Sequence, residues 1–313
     1  MENKLIGNHH IYHSFNKMLQ AKRLRGSIIF YGIKGVGKFS WALQFTKLLL
    51  SAPISAINNL DSLTINPKVN NLINKNSHPN FLLIQPEFDD KKNTYKDSIS
   101  VEEIRKIGRF LQSNDDTYYK VIIVDALDNL NINAANAILK NLEEPPANVV
   151  FLLIAHNYET LLDTITSRCI SLKFKPLDRK EIIQVLEYNN ISFPKEGQDI
   201  LNLAEGSSAK ALWYLQADNL NFYKSLQEVI LNNNKAGVIS FTKEFQNILT
   251  DEIGIFFNLL DFLILKHIKQ YKFQEIYEFH QNLSSNYYNV KVFNLDKIAA
   301  VSNLLFKLQN IKV

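Results

Sequence analysis

Residues 120–169 read KVIIVDALDNLNINAANAILKNLEEPPANVVFLLIAHNYETLLDTITSRC, and the fold follows from how this stretch alternates. The apolar run Val121–Val124 ends on Asp125. A buried parallel strand has this form when it delivers a carboxylate to its carboxyl end, where α/β sheets put their sites. Asn133 is the expected cap of a helix whose apolar positions Ala134, Ala137, Ile138 and Leu142 follow helical spacing. Pro145 and Pro146 stop that helix, since neither has an N–H to continue the ladder. A second apolar run, Val149–Ile154, is the next strand, and a segment with Leu161, Leu162 and Ile165 closes on Ser167-Arg168-Cys169. Strand, helix, strand in this order is a βαβ unit, so the sheet is expected to be parallel.

Upstream, Ser27–Tyr31 reads as another buried strand, followed by GIKGVGKFS and an apolar helix from Trp41 to Leu50. Gly32, Gly37 and Lys38 fit the phosphate-loop spacing, with Gly35 inside the loop. Glycines let backbone N–H groups turn toward phosphate oxygens, the helix start adds partial positive charge, and Lys38 reaches the outer phosphates. The loop departs from the pattern at one place that matters. The Mg²⁺-ligating hydroxyl expected after the lysine is replaced by Phe39, and Ser40, one residue on, is rotated away by about 100°. A glycine-rich turn without a ligand stays open as the plainer reading.

The combination NAANAILKNLEEPP, a strand, and then TSRC resembles the clamp-loader branch of the AAA+ ATPases, most of all its delta-prime type in bacterial DNA polymerase III. The resemblance covers most of residues 7–215. It implies an α/β AAA+ phosphate-loop domain over 1–176, a small helical lid over 177–218 and an all-α collar over 219–313. In active relatives the residue after Asp125 is a glutamate that orients the attacking water, and here it is Ala126. The polar sensor expected at the next strand's tip is Ala155, with His156 and Asn157 beyond it. Asp128 leaves the strand at a different angle, and Glu143 and Glu144 lie too far along the helix to stand in. Three missing groups imply a chain without ATPase activity of its own. Arg168, flanked by Ser167 and Cys169, is by contrast implied to be the arginine finger, reaching a neighbour's γ-phosphate. The implied partners are gamma/tau and delta subunits in a hetero-oligomeric ring, the sliding clamp, and primed DNA through the assembly, with no membrane. No cofactor is required on this reading, and ATP, ADP or phosphate in the degenerate loop stays open. Two alternatives are an active gamma-type ATPase and a phosphate-loop kinase acting on a small molecule. The kinase needs an acceptor site the sequence does not offer.

The remaining segments add constraints. The chain has 313 residues, 46% hydrophobic and 21% charged, with a formal charge of +4. That suits two or three globular domains and is far from a nucleic-acid-binding basic stripe. One cysteine excludes internal disulfides and multi-cysteine zinc, which fits a reducing cytoplasm. The first residues lack a signal-peptide core. Residues 51–77 stand where many relatives carry a four-cysteine zinc module, so no zinc and only turns and short helices are expected there. His9, His10 and His13 read as a solvated helix start rather than a metal site. His78-Pro79-Asn80 enters a strand at Phe81–Ile84, residues 86–99 read as a polar loop, and Ser100 with Glu103 reads as a capping box. Residues 113–117 form a turn, and Asp178 caps a helix over Arg179–Tyr188. Lys210 lies where active relatives put a phosphate-sensing arginine, and reads as an exposed helical lysine. The run Ile253–Leu265 contains Asn258 and Asp261, so it reads as a buried helix and not a membrane span.

Overall fold

The computed structural model describes residues 5–311 apart from 23, 25, 90–93, 97, 113–115, 195–196, 233, 252 and 294. Residues 90–93 of the 86–99 segment and most of the 113–117 turn therefore lie outside the described residues. The chain divides into two compact units, residues 1–195 with 204–209, and residues 196–203 with 210–313.

The first unit is built on strands β1 (Gly26–Tyr31), β2 (Phe81–Ile84), β5 (Lys120–Asp125), β6 (Val149–Ala155) and β7 (Cys169–Lys173), in the order β2-β5-β6-β1-β7. Every neighbouring pair is parallel, as βαβ connections require. Helices α1 (His9–Gln20), α2 (Lys38–Leu50), α3 (Pro67–Asn74), α4 (Val101–Leu111), α5 (Ile132–Glu143), α6 (Asp163–Thr166) and α7 (Arg179–Tyr188) belong to this unit. On one face Ile29, Ile122, Val124, Phe151 and Leu153 pack with Ile104 and Ile107 of α4 and Ala134 and Ile138 of α5. On the other, Phe30 meets Phe45 of α2, which stacks on Phe15 of α1. Burial on both faces explains why the central strands read as unbroken apolar runs.

Four expectations need correction. The cap of α5 is Asn131, whose side chain accepts from Ala134 N at 2.8 Å, while Asn133 lies inside the helix. The asparagines stand two apart, and only the first is three residues before a free N–H of the first turn. Ser100 does accept from Glu103 N, but the Glu103 carboxylate pairs with Lys106. Residues 86–99 are more than a loop: β3 (Phe88–Asp89) and β4 (Thr94–Tyr95) form a small antiparallel hairpin with Phe88 against Tyr95. The strand β7 was not foreseen either. It lies at the sheet edge beside β1 alone, so its residues CISLK need not be a continuous apolar run.

In the 51–77 segment the chain folds into single turns at Ile54–Ala56 and Leu60–Ser62 followed by α3, with Asn66 as cap and Pro67 opening the helix. Hydrogen bonds tie it to α1: Tyr12 donates to Asp61 at 2.6 Å, and Asn16 Oδ1 accepts from Leu60 N at 2.8 Å. Among the described residues, no group of three or more His, Cys, Asp and Glu side chains is placed to hold a metal.

The second unit is helical: α8 (Gly197–Ala204) up to Leu203 and α9 (Ser208–Tyr214) from Lys210 onward, the residues between belonging to the first unit, lead into α10 (Ala217–Leu231), α11 (Lys235–Glu244), α12 (Gln246–Asp251), α13 (Ile253–Lys266), α14 (Phe273–Val292) and α15 (Lys297–Asn310). Phe222 of α10 is enclosed by Phe241 and Phe245 at 5.3 and 5.2 Å between ring centres. In α13, Phe256, Leu259, Leu260, Leu263 and Ile264 are buried, which accounts for its apolar composition. Asp199 of α8 accepts from Tyr223 and pairs with Lys266. Among the described residues no helix is long and apolar enough to cross a membrane.

Candidate functional site

At the carboxyl edge of the sheet, β1 ends at Tyr31 and the glycine loop turns into α2 at Lys38. Two of its glycines are there for close approach. A side chain at Gly32 would stand 2.5 Å from the Phe174 carbonyl, and one at Gly35 would run into Ser207 and Ala209, with φ positive at both positions. Gly35 O accepts from Ser208 Oγ at 3.0 Å and Ala209 N at 3.1 Å, so the start of α9 is fastened to the loop. Gly37 precedes the helix at φ 99° with open space about it.

Lys38 is buried, and its ammonium donates to Gly32 O at 2.6 Å and Ile33 O at 2.8 Å. The lysine that would meet phosphate is folded back on its own loop. Burial pulls its pKa down to about 8, opposed by the nearby Asp125 and Asp128. Burial also raises the Asp125 carboxyl, with Lys38 and Lys34 pulling the other way. Burial is therefore costly for either charge, and each offsets part of the other's cost.

Because Lys38 titrates below the ordinary lysine value of 10.5 in the folded chain, the unfolded chain holds more protons between about pH 8 and 10.5. Stability should therefore rise with pH across the lower part of that window. Lys38→Met should remove this rise, read by urea unfolding at pH 7.5, 8.5 and 9.5; parallel pH profiles for the two proteins would contradict it.

Phe39, Ala126 and Ala155 occupy the three positions at which the resemblance placed a hydroxyl, a glutamate and a polar sensor. Phe39 is half-buried, Ser40 is exposed, and Ala126 is buried next to Asp125. Register fixes Ala155 opposite Tyr31, with its carbonyl accepting from Gly32 N. Asp128, which the sequence reading set aside, comes back to the edge. Its two carboxylate oxygens accept from the backbone N–H groups of His156 and Asn157, pinning the tip of β6. The His156 ring is pushed down to a pKa of about 4, first by burial and then by Lys38. The Asn157 side chain is spent on capping Glu159 N. Lys210 is exposed.

Arg168, Ser167 and Cys169 stand at the opposite edge. Cys169 opens β7 and pairs in register with Ser27, the second residue of β1. The six residues of β1 separate this end from the glycine loop by about 17 Å. Arg168 follows α6. Its Nε and Nη2 meet Glu143 Oε1 at 3.0 and 2.9 Å, and Nη1 donates to Thr164 O at 2.7 Å and Ser167 Oγ at 3.3 Å. Glu143 was the residue that sequence reasoning missed; pairing across two motifs 25 residues apart leaves no periodic signal.

Burial pushes the Cys169 thiol up to about 12, against a hydrogen bond to Ser27 and the charge of Arg168. Only about one thiol in 10⁴ is then ionised at pH 8. The native chain should react with iodoacetamide orders of magnitude more slowly than the urea-unfolded chain; comparable rates would contradict this.

The family described as DNA polymerase III, delta subunit, matches residues 7–178, more than half of the chain. The chain belongs to that family. As a delta-family chain it shares 34% identity over 147 residues with a DNA polymerase III subunit delta' of Pseudomonas aeruginosa, covering 45% of this chain and 40% of the relative. It shares 31% over 179 residues with the delta' subunit of Bacillus subtilis, covering 56% and 49%. A gamma subunit of Buchnera aphidicola subsp. Baizongia pistaciae is 28% identical over 220 residues, covering 67% and 55%. The match thus spans about half the length of these curated relatives. Among solved structures, a gamma subunit-related protein of Thermotoga maritima superposes with a TM-score of 0.55 at 18% identity, covering 96% of this chain and 99% of that one. That likeness carries the fold alone: a parallel α/β sheet followed by helices.

Proposed function

We propose that this chain acts as a delta-prime-type subunit of the DNA polymerase III clamp loader, silent as an ATPase, and that it lends Arg168 to the ATP site of a neighbouring subunit. The observation that carries this is the separation of the two sites. A phosphate loop lacking the hydroxyl, the glutamate and the sensor lies at one edge of the sheet, and Arg168 lies about 17 Å away at the other. An arginine so far from its own loop does not reach a nucleotide held there, which supports a role toward another subunit. On this reading residues 177–218 are the lid and 219–313 the collar, through which the chain joins gamma/tau and delta subunits in a ring. The assembly then opens the sliding clamp and loads it on primed DNA.

No cofactor is needed by this chain. Lys38 held by Gly32 O and Ile33 O, and Gly35 O held by α9, favour a loop that stays closed. The likeness to gamma subunits supports a second reading as an active ATPase, and Phe39, Ala126 and Ala155 argue against it.

The test is ATP hydrolysis by the purified chain, alone and then with cognate gamma-type and delta subunits, clamp and primed DNA. Silence alone with turnover in the mixture is expected. Robust hydrolysis by the chain alone, abolished by Lys38→Ala, would transfer it to the gamma type.

A further inference from the structure

The two sequence motifs that carry the family resemblance, KNLEEPP and SRC, meet in space. Glu143 is the last residue of α5, followed by Glu144 and Pro145. A carboxylate there opposes the negative end of the helix dipole, so the helix itself gains nothing from it. What it does contact is the guanidinium: both Nε and Nη2 of Arg168 converge on Glu143 Oε1. The Nη1 group is held by Thr164 O, on the last turn of α6, and by Ser167 Oγ. A guanidinium has five N–H donors. Two go to Glu143 and two to the α6 turn, which leaves by count one N–H, on Nη2. The pair forms one wall of an open cavity of about 400 Å³, lined also by Gly26, Ser27, Leu142, Pro145 and Ile170.

A long, rotamer-rich side chain on a surface turn loses entropy when it is made to point one way. Here two anchors on different elements, α5 and α6, have already removed that freedom. We propose that Glu143 is the positioning residue of Arg168, fixing the plane of the guanidinium before a neighbour's phosphate arrives. The proposal rests on the finger reading above and adds a second residue to it. Glu143 touches no substrate and acts only through Arg168.

The test uses the assembled complex with Glu143→Ala, Glu143→Gln, Arg168→Ala and the Glu143→Ala/Arg168→Ala double variant. Glu143→Ala should lower kcat at the facing site about ten-fold, since misplacing a catalytic group by an ångström is costly, with little change in KM for ATP. Glu143→Gln keeps the oxygen acceptor and should recover most of the rate. On the Arg168→Ala background, Glu143→Ala should change nothing further. In the free chain, the ¹⁵N-labelled Arg168 Nε–H signal, assigned by its loss in Arg168→Lys, should exchange with water faster in Glu143→Ala than in wild type. Glu143→Ala at or above the wild-type rate, or a loss additive with Arg168→Ala, overturns the proposal. If Arg168→Ala costs activity and Glu143→Ala does not, only the role of Glu143 falls; if Arg168→Ala costs nothing, the finger falls with it.

Discussion

In a reconstituted assembly, Arg168→Ala should lower ATP turnover at the subunit facing it by roughly 10³-fold or more, the scale on which arginine fingers act in phosphoryl transfer. The charge that develops on the transferring phosphoryl group is met by the guanidinium charge and its remaining N–H, and alanine offers neither. Arg168→Lys should recover less than a tenth of the loss, because an ammonium supplies charge without the planar group that Glu143 and the α6 turn hold in place. The effect is not expected to pass through folding. Arg168 is about one-third exposed, and its pair with the half-exposed Glu143 is of the kind whose removal costs about 1 kcal/mol or less. Phosphate release measured before the steady state, beside a thermal melt of each variant alone, separates the two effects. A rate within two-fold of wild type would remove Arg168 from the chemistry and leave the pair as a surface tie.

The sheet was legible because its strands are buried on both faces. Val121–Val124 and Val149–Ile154 carry that constraint openly, and Asp125 marks the end where the loop must lie. What stayed hidden depends on contacts between distant residues. The strand β7 has one neighbour, so its pattern is mixed and resembles a loop. The choice of Asn131 over Asn133 as cap turns on which side chain is three residues from a free N–H, a matter of one register step. Asp128 reads as an ordinary turn residue until β6 lies beside β5, when its carboxylate faces two backbone N–H groups. The site residues show the same division. Gly32, Gly35, Gly37, Lys38 and Asp125 are brought together by the strand order alone, whereas the partner of Arg168 had to be seen.

The fold divides its labour between the two edges. At the loop edge, polar groups are tied internally: the Lys38 ammonium to loop carbonyls, Gly35 O to α9, and Asp128 to the tip of β6. At the other edge, only one short turn carries Arg168, and it is braced from α5.

Phe45→Ala should be the most destabilising single change in the first unit, by about 3–5 kcal/mol. Phe45 lies in α2, which leads out of the glycine loop, and it is fully buried. Its ring stacks on Phe15 with centres 4.0 Å apart and planes within 1°, and Trp41 and Phe30 close round it at 5.4 and 6.1 Å. Truncation opens a cavity between α1, α2 and β1 that these rigid rings cannot collapse into, so the cost should fall toward the upper part of that range. For a unit of this size the midpoint should drop by roughly 6–20 °C. The chain has two tryptophans, Trp41 in the first unit and Trp213 in the second. In a Trp213→Phe background, fluorescence therefore reports the first unit alone. Phe45→Leu, which keeps most of the volume, should lose less than half as much. A loss below about 1 kcal/mol for Phe45→Ala would mean that the aromatic cluster is loosely packed. Below its lowered midpoint the variant should still support turnover at the facing site, because Cys169 and Arg168 are anchored to the far end of β1 by Ser27 and to α5 by Glu143. Loss of stability with turnover retained would place the aromatic cluster in the scaffold, apart from the end of the sheet that carries Arg168.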